Sequence, residues 1–181
     1  MIGSAKEIEP LARSVDSTAG VTFVPAFSGL FAPYWRSDAR ACIVGMTLYT
    51  KKAHLCRATL EAVALQAREV LDAMEGDSGV KLSELEVDGG MTINELLMQM
   101  QADFIQVPVV RPVDVETTAM GAAFAAGLAV GVWGSIDELK HLNPPDVSFK
   151  PAIGRKECEA KLKVWQDAVK RTFDLAPGSK L

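Results

Sequence analysis

Two short apolar runs, each followed by a helical pattern, lie in the middle of the chain and constrain the fold more than any other feature. Residues 84–88 and 107–110 resemble short strands, and apolar residues at helical spacing follow at residues 92–106 and about 117–130. This order favours parallel strands, because each helix returns the chain to the same end of the sheet. About half of the 181 residues, 49%, are apolar, which is enough for one core. We therefore predict an α/β fold.

Two further strands are predicted nearer the N-terminus. Residues 21–26 and 41–47 are short and rich in β-branched side chains. Residues 27–40, which connect them, combine glycine, proline and aromatic residues as an ordered loop does. Before them, Ser4 can cap a short helix with apolar positions in residues 8–15.

Two amphipathic helices are predicted, one long and one near the C-terminus. Apolar side chains recur every three or four positions over residues 51–74, and Gly76 and Gly79 are expected to end that helix. Over residues 155–173 the same spacing aligns a second set of apolar side chains on one face, namely Cys158, Leu162, Trp165, Val169 and Phe173. Each helix is expected to cover the core with one face.

The prolines near the C-terminus suggest where the domain ends. Pro144 and Pro145 predict a loop between Leu142 and Pro151. We expect one domain over residues 1–143, and a proline-containing loop, a C-terminal helix and a short tail over residues 144–181. The tail after Ala176 is expected to be disordered.

Charge and apolar patterning exclude several partners. The net charge is −4 without long runs of one sign, which argues against nucleic acid and anionic lipid. Residues 119–133 are the longest apolar stretch, too short for a membrane span and interpreted as a buried helix. Residues 1–9 lack the pattern of a secretory signal.

Cysteine and histidine spacing gives no sign of a disulfide framework or a metal site. Cys42, Cys56 and Cys158 are odd in number and far apart, as is typical of a reducing, cytoplasmic protein. His54 and His141 have no ligand at metal-binding spacing, so we interpret them as structural or solvated. No metal ligand is predicted.

The glycines that follow the third predicted strand form a candidate ligand site. Gly89 and Gly90 separate this strand from a helix start, where Thr92 and Glu95 have capping-box spacing. Backbone N–H groups at such a turn favour an anion or a closely approaching ligand, and Asn94 could bind a polar edge. From the pattern alone a plain strand-to-helix turn is favoured, because a single glycine-rich turn is weak evidence for a ligand site.

The aromatic loop, defined as residues 31–36, is a second candidate together with Asp38 and Arg40. Its aromatic and charged side chains could form a substrate wall or simply a packed surface loop. From the residues alone, packing is favoured.

Several segments carry a family resemblance. Residues 41–46, followed after seven residues by 54–61, resemble the second signature of the FGGY carbohydrate kinases. Residues 24–35, with Ala39 and Arg40 behind them, resemble the glycerol kinase branch of that family. Residues 87–103 are similar to the family's adenine-side motif.

The resemblance implies part of an actin-like and hexokinase-like ATPase fold, a ribonuclease-H-like domain whose first strands are absent from this sequence. It implies that Gly90 and Asn94 contact ATP or ADP, and that Gly89 adjoins them. It also implies Mg²⁺, a cytoplasmic enzyme that forms glycerol 3-phosphate, and a homo-oligomer in the complete enzyme.

The family's catalytic Asp and polyol-binding residues have no counterpart in this sequence. The isolated chain is therefore expected to be catalytically inactive, and we assign no catalytic residue to it. Two alternatives stay open: a non-catalytic nucleotide-binding or interaction protein, and the same part of another FGGY sugar kinase.

Overall fold

The computed structural model describes residues 2–176 and contains helices and strands in the predicted alternation. The helices are α1 (Ile8–Arg13), α2 (Lys52–Ser78), α3 (Glu95–Ile105), α4 (Thr117–Ala129) and α5 (Arg155–Lys170). The strands are β1 (Thr22–Val24), β2 (Cys42–Val44), β3 (Leu85–Glu86), β4 (Val109–Pro112) and β5 (Pro145–Phe149). Short 3₁₀ turns lie at Ala5–Glu7, Gly90–Ile93 and Ile136–Leu139.

The strands form two small sheets, and one contains the predicted parallel pair. β1 and β2 are antiparallel, whereas β3, β4 and β5 form a second sheet in that order. β3 and β4 run parallel, with Leu85 opposite Val109, and α3 connects them. The predicted α/β class and parallel pairing are therefore confirmed.

β5 replaces part of a predicted loop. Residues 142–151 were expected to lack regular structure because of their prolines, but Pro145–Phe149 pairs antiparallel with β4. Pro145 is the first residue of an edge strand, where its missing N–H removes no ladder hydrogen bond. The prediction of a loop is wrong over this segment.

Helix α2 extends past its predicted end. It continues to Ser78 and ends at Gly79, which adopts the left-handed conformation with φ 69°. Gly79 terminates the helix as expected, because glycine occupies this conformation at little cost. The prediction that Gly76 also ends the helix is wrong, since Gly76 lies in its last turn.

The core lies between α2, α3 and α5, next to β1 and β4. Leu60, Leu97 and Trp165 are each at most 2% exposed. The predicted face of α5 is confirmed for Cys158, Leu162, Trp165 and Val169, which are buried, and Phe173 packs on the core just after the helix. Helices α2, α3 and α5 pack against one another, and α4 takes no part in that packing.

Helix α4 does not occupy the buried position predicted for it. Of its residues, only Gly127 is buried. An apolar composition shows that a helix needs a partner, but it cannot specify which surface supplies one. None of the helices within residues 2–176 has the length and apolarity needed to cross a membrane.

The C-terminal segment is tied to the rest of the described chain. β5 pairs with β4, and α5 contacts β1, α2 and α3. A domain boundary between residues 143 and 144 stays a prediction. The predicted disordered tail after Ala176 lies outside the described residues.

Candidate functional site

The turn after β3 is open on the side of its two glycines. A β-carbon added to Gly89 or Gly90 would meet no described atom within 4 Å apart from their chain neighbours and the backbone of the turn itself. Gly89 has φ 85°, which favours glycine. Its N–H donates to the Val115 carbonyl at 2.9 Å, and its own carbonyl accepts from the Thr92 hydroxyl at 2.7 Å. The turn is thus held in place while its outer surface remains accessible.

Asn94, rather than Thr92, caps the helix that follows. Its Oδ1 accepts a hydrogen bond from the Leu97 N–H at 2.9 Å, and α3 begins at Glu95. The predicted capping box of Thr92 and Glu95 is wrong, because the chain first forms the 3₁₀ turn Gly90–Ile93. The cap uses only the oxygen of Asn94, so its Nδ2 can still donate to a ligand.

Gly90 and Asn94 line the same cavity of about 490 Å³. This volume falls within the range of small-molecule sites. The lining is mostly apolar and comes from three parts of the chain: Ala5, Lys6, Ile8 and Glu9; Thr59, Leu60 and Val63; and Gly90, Met91, Ile93 and Asn94. Gly89 does not line it and instead forms the strand-side half of the turn. A flat, apolar group with a polar edge suits such a cavity.

Glu9 holds the two walls of this cavity together. Its Oε1 accepts from the Leu96 N–H at 3.1 Å, in the first turn of α3, and from Arg13 Nε at 2.9 Å. No role at the site is predicted for α1 from the sequence, because Ile8 and Glu9 have no ligand-binding pattern of their own. Only the tertiary fold brings them opposite Asn94.

The cavity lies at the end of a parallel strand, where open α/β sheets commonly bind ligands. Asp88, also in this turn, accepts a hydrogen bond from the Thr117 hydroxyl at the start of α4. In the described part of the chain, no group of three or more His, Cys, Asp or Glu side chains could hold a metal ion. In kinases Mg²⁺ is usually held by one or two carboxylates together with substrate phosphates and water, rather than by protein ligands alone. The described residues therefore do not fit a magnesium site of their own.

The aromatic loop is only partly packed. Phe31 and Trp35 are 71% and 73% exposed, so the packing favoured from sequence is wrong for these two rings. Tyr34 does pack: its hydroxyl donates to the buried carboxylate of Glu69. Burial and this carboxylate raise the pKa of Tyr34 well above its usual range. The loop is anchored by the ring of Tyr34, and the rings of Phe31 and Trp35 face solvent.

Known proteins resemble this chain over most of its length. Residues 2–130 match the family model for the FGGY family of carbohydrate kinases, C-terminal domain. A glycerol kinase of Clavibacter michiganensis subsp. michiganensis is 59% identical over 174 residues, which are 96% of this chain and 34% of that protein. A glycerol kinase of Saccharopolyspora erythraea is 58% identical over 96% of this chain and 35% of its own length. The chain thus spans about a third of the length of these relatives.

Solved structures show the same relationship. The crystal structure of Plasmodium falciparum glycerol kinase with ADP matches with a TM-score of 0.85 and 42% identity, over 94% of this chain and 34% of that one. A xylulose kinase of Lactobacillus acidophilus has a TM-score of 0.74 at 21% identity, over 93% of this chain and 34% of its own, which shows the fold alone. The expected actin-like and hexokinase-like ATPase fold and the similarity to glycerol kinases are confirmed. By sequence and by structure, the chain belongs to the FGGY family of carbohydrate kinases.

Proposed function

We propose that this chain is the nucleotide-side part of an ATP-dependent glycerol kinase, which converts glycerol and ATP to glycerol 3-phosphate and ADP. One observation carries the proposal: the Gly90–Ile93 turn, capped by Asn94, opens onto an apolar cavity of about 490 Å³. In this proposal an adenine ring enters the cavity against Ile8 and Val63. Asn94 Nδ2 then donates to an acceptor on the nucleotide, while Gly90 allows its close approach.

The identity of the relatives supports this assignment. The Plasmodium falciparum glycerol kinase, which has the same fold and 42% identity, was solved with ADP. That protein therefore binds this nucleotide. Curated relatives of 56–59% identity are glycerol kinases, which favours glycerol over the sugars of other family members. The xylulose kinase neighbour supports the fold only.

Phosphoryl transfer requires an acceptor hydroxyl in line with the γ-phosphate and a carboxylate to accept its proton. None of the described residues is assigned to that role. We therefore propose that residues 1–181 bind nucleotide without transferring its phosphate. ATP is used with Mg²⁺, which this chain's residues do not hold on their own. A cytoplasmic location and a homo-oligomeric complete enzyme are part of the same proposal, and the three unpaired cysteines support a reducing compartment.

The proposal is tested by calorimetric titration of ADP into the 181-residue protein and into two Asn94 variants. Asn94→Asp keeps an oxygen that accepts from Leu97 but replaces the amide donor by a negative charge, so the helix cap survives and ADP affinity falls at least about tenfold. Asn94→Ala loses both the cap and the donor, so it also lowers the free energy of unfolding by about 1 kcal/mol.

A matched control carries the same charge change away from the cavity. Asn143 lies outside the cavity lining, bonded to Asp114, so Asn143→Asp should leave ADP affinity within about twofold. Absence of ADP binding at millimolar concentration, or equal loss in Asn94→Asp and Asn143→Asp, would refute the site.

A further inference from the structure

The side chain of Arg111 reaches from β4 to the nucleotide turn, the name we give to residues 89–94. Its Nη1 donates to the Thr92 carbonyl at 2.9 Å. Thr92 is only 4% exposed, so its carbonyl needs a partner from the protein. Arg111 itself does not line the cavity that Gly90 and Asn94 share. Any effect that it has on a ligand there is therefore transmitted through the turn.

The Thr92 carbonyl is a point from which the turn can be oriented. Within the turn, the Thr92 N–H donates to the Gly89 carbonyl and the Asn94 N–H to the Met91 carbonyl, both at 3.1 Å. These bonds close the turn on itself without using the Thr92 carbonyl. Because the peptide unit is planar, a donor that fixes this carbonyl also fixes the N–H of Ile93. It thereby sets the direction in which the chain enters Asn94.

Two side chains of β5 orient the guanidinium of Arg111. Its Nη2 lies 3.8 Å from Asp146 Oδ2, and its central carbon lies 5.9 Å from the centre of the Phe149 ring. Phe149 is opposite Val109 in the sheet, on the same face as Arg111, so the two side chains meet diagonally across the strands. A planar guanidinium can stack on a ring, pair with a carboxylate and donate to a carbonyl at the same time.

The ion pair with Asp146 does not by itself explain why Arg111 lies here. The distance of 3.8 Å is long for such a pair, and the Asp146 side chain is 50% exposed, so the pair contributes little to stability. The bond to Thr92 is shorter and better shielded, since the Arg111 side chain is 14% exposed. The stronger contact of Arg111 is therefore the one with the turn.

We propose that Arg111 is a positioning residue for the nucleotide, which holds the nucleotide turn in the geometry in which Gly90 and Asn94 meet ADP or ATP. The inference rests on the proposed function, because it takes the ligand of this turn to be a nucleotide. It extends the site to β5, which lies beyond the residues 2–130 matched by the family model. β5 supports the turn through Arg111, although no residue of this strand lines the cavity.

The experiment compares Arg111→Met with a matched control, Arg68→Met, in the 181-residue chain. Arg68 has a similarly shielded side chain, 12% exposed, and it also donates to a backbone carbonyl of α3, that of Phe104. Phe104 lies at the end of α3 that is remote from the nucleotide turn. Methionine removes the donors of either arginine and keeps an unbranched apolar side chain. ADP affinity is measured by calorimetry, and stability by urea unfolding.

The expected result is a loss of ADP affinity that stability alone does not explain. Both variants should be less stable, but Arg111→Met should bind ADP at least about fivefold more weakly, whereas Arg68→Met should stay within about twofold of the unsubstituted chain. Equal ADP affinity in all three chains, or an equal loss in both variants, overturns the proposal. Absence of ADP binding to the unsubstituted chain overturns the proposed function as well, whereas binding that is insensitive to Arg111→Met overturns only the role of Arg111.

Amide hydrogen exchange without nucleotide tests the hold on the turn directly. In Arg111→Met the N–H groups of Thr92 and Asn94 should exchange at least about tenfold faster, with less change at Gln106, whose N–H donates to the Ala102 carbonyl at the end of α3. Arg68→Met should show the reverse pattern. Unchanged exchange at Thr92 and Asn94 in Arg111→Met overturns the proposal.

Arg111→Lys decides the question if Arg111→Met does not fold. Lysine keeps the charge and the apolar stem, but its single ammonium cannot reproduce the fork that meets both Thr92 and Asp146. We expect ADP affinity to fall at least about threefold and the amides of the nucleotide turn to exchange faster. Unchanged affinity and unchanged exchange in this variant would contradict a positioning role.

Discussion

The buried carboxylate of Glu69 joins α2, α5 and the aromatic loop, and its removal has a predictable cost. Glu69 is 5% exposed and accepts hydrogen bonds from the Tyr34 hydroxyl and, at 2.7 Å, from Trp165 Nε1. Trp165 is itself only 1% exposed, so water cannot replace the carboxylate there. Substitution Glu69→Ala would therefore leave a buried donor without a partner.

The magnitude follows from the two lost partners. An unsatisfied buried donor costs about 1–3 kcal/mol, which applies in full to Trp165 Nε1. The hydroxyl of Tyr34 is half-buried and can partly recover through water, so its contribution is smaller. We expect Glu69→Ala to lower the free energy of unfolding by about 2–4 kcal/mol. Glu69→Gln keeps an acceptor of the same size and should lose about 1 kcal/mol.

The assay is urea unfolding followed by tryptophan fluorescence, with Glu75→Ala as control. Glu75 lies on the same helix, and its carboxylate has no hydrogen-bond or ion-pair partner among residues 2–176, so its removal should change stability by less than about 0.5 kcal/mol. If Glu69→Ala is no more destabilising than Glu75→Ala, the hydrogen bonds to Glu69 do not hold these elements together.

Two further predictions concern other parts of the fold. Because burial and Glu69 raise the pKa of Tyr34, the unfolded chain releases this proton at a lower pH than the folded one. The free energy of unfolding should therefore fall as the pH rises above about 10, and Tyr34→Phe should flatten this slope in urea titrations at pH 9 and 11; an unchanged slope contradicts the assignment. Gly76 lies inside α2, and a β-carbon there meets no described atom within 4 Å apart from its chain neighbours and the backbone of its own helix, so Gly76→Ala should raise the free energy of unfolding by about 0.5–1 kcal/mol. The same urea assay checks this, and a loss of stability would show that the last turn is not helical in solution.

The amphipathic helices were predictable because their signal is local and repeated. Leu60 and Ala64 in α2, and Leu162 and Trp165 in α5, lie at helical spacing within each helix and are all buried. The parallel pair of β3 and β4 follows from the helix between them. In each case many positions contribute to one pattern, so no single residue decides the outcome.

Local competition between similar residues was not predictable. Thr92 and Asn94 are both good cap residues, and the choice depends on the 3₁₀ turn that precedes α3. Proline at position 145 predicts a loop, yet Pro145 begins a strand because the edge of β4 is available to pair with it. The sequence offers the alternatives, and tertiary contacts select one.

The candidate site was predictable on one side only. Gly90 and Asn94 stand within five residues of each other and carry a recognisable turn, whereas Ile8 and Val63 reach the same cavity from distant helices and look like ordinary core positions. Position along the chain gives no measure of that proximity. A residue list drawn from sequence therefore contains the polar half of such a cavity and omits its apolar wall.

The separation of core and site decides how the Asn94 variants can be interpreted. The buried centre of the chain lies between α2, α3 and α5, around Leu60 and Trp165, and Asn94 is not one of its residues. The side chain of Asn94 accepts a hydrogen bond from the Leu97 N–H, and we expect Asn94→Asp to preserve that bond. A loss of ADP affinity in a variant with an unchanged unfolding curve therefore reports on the nucleotide contact itself, and a shifted curve would mean that the cap, rather than the ligand, had been changed.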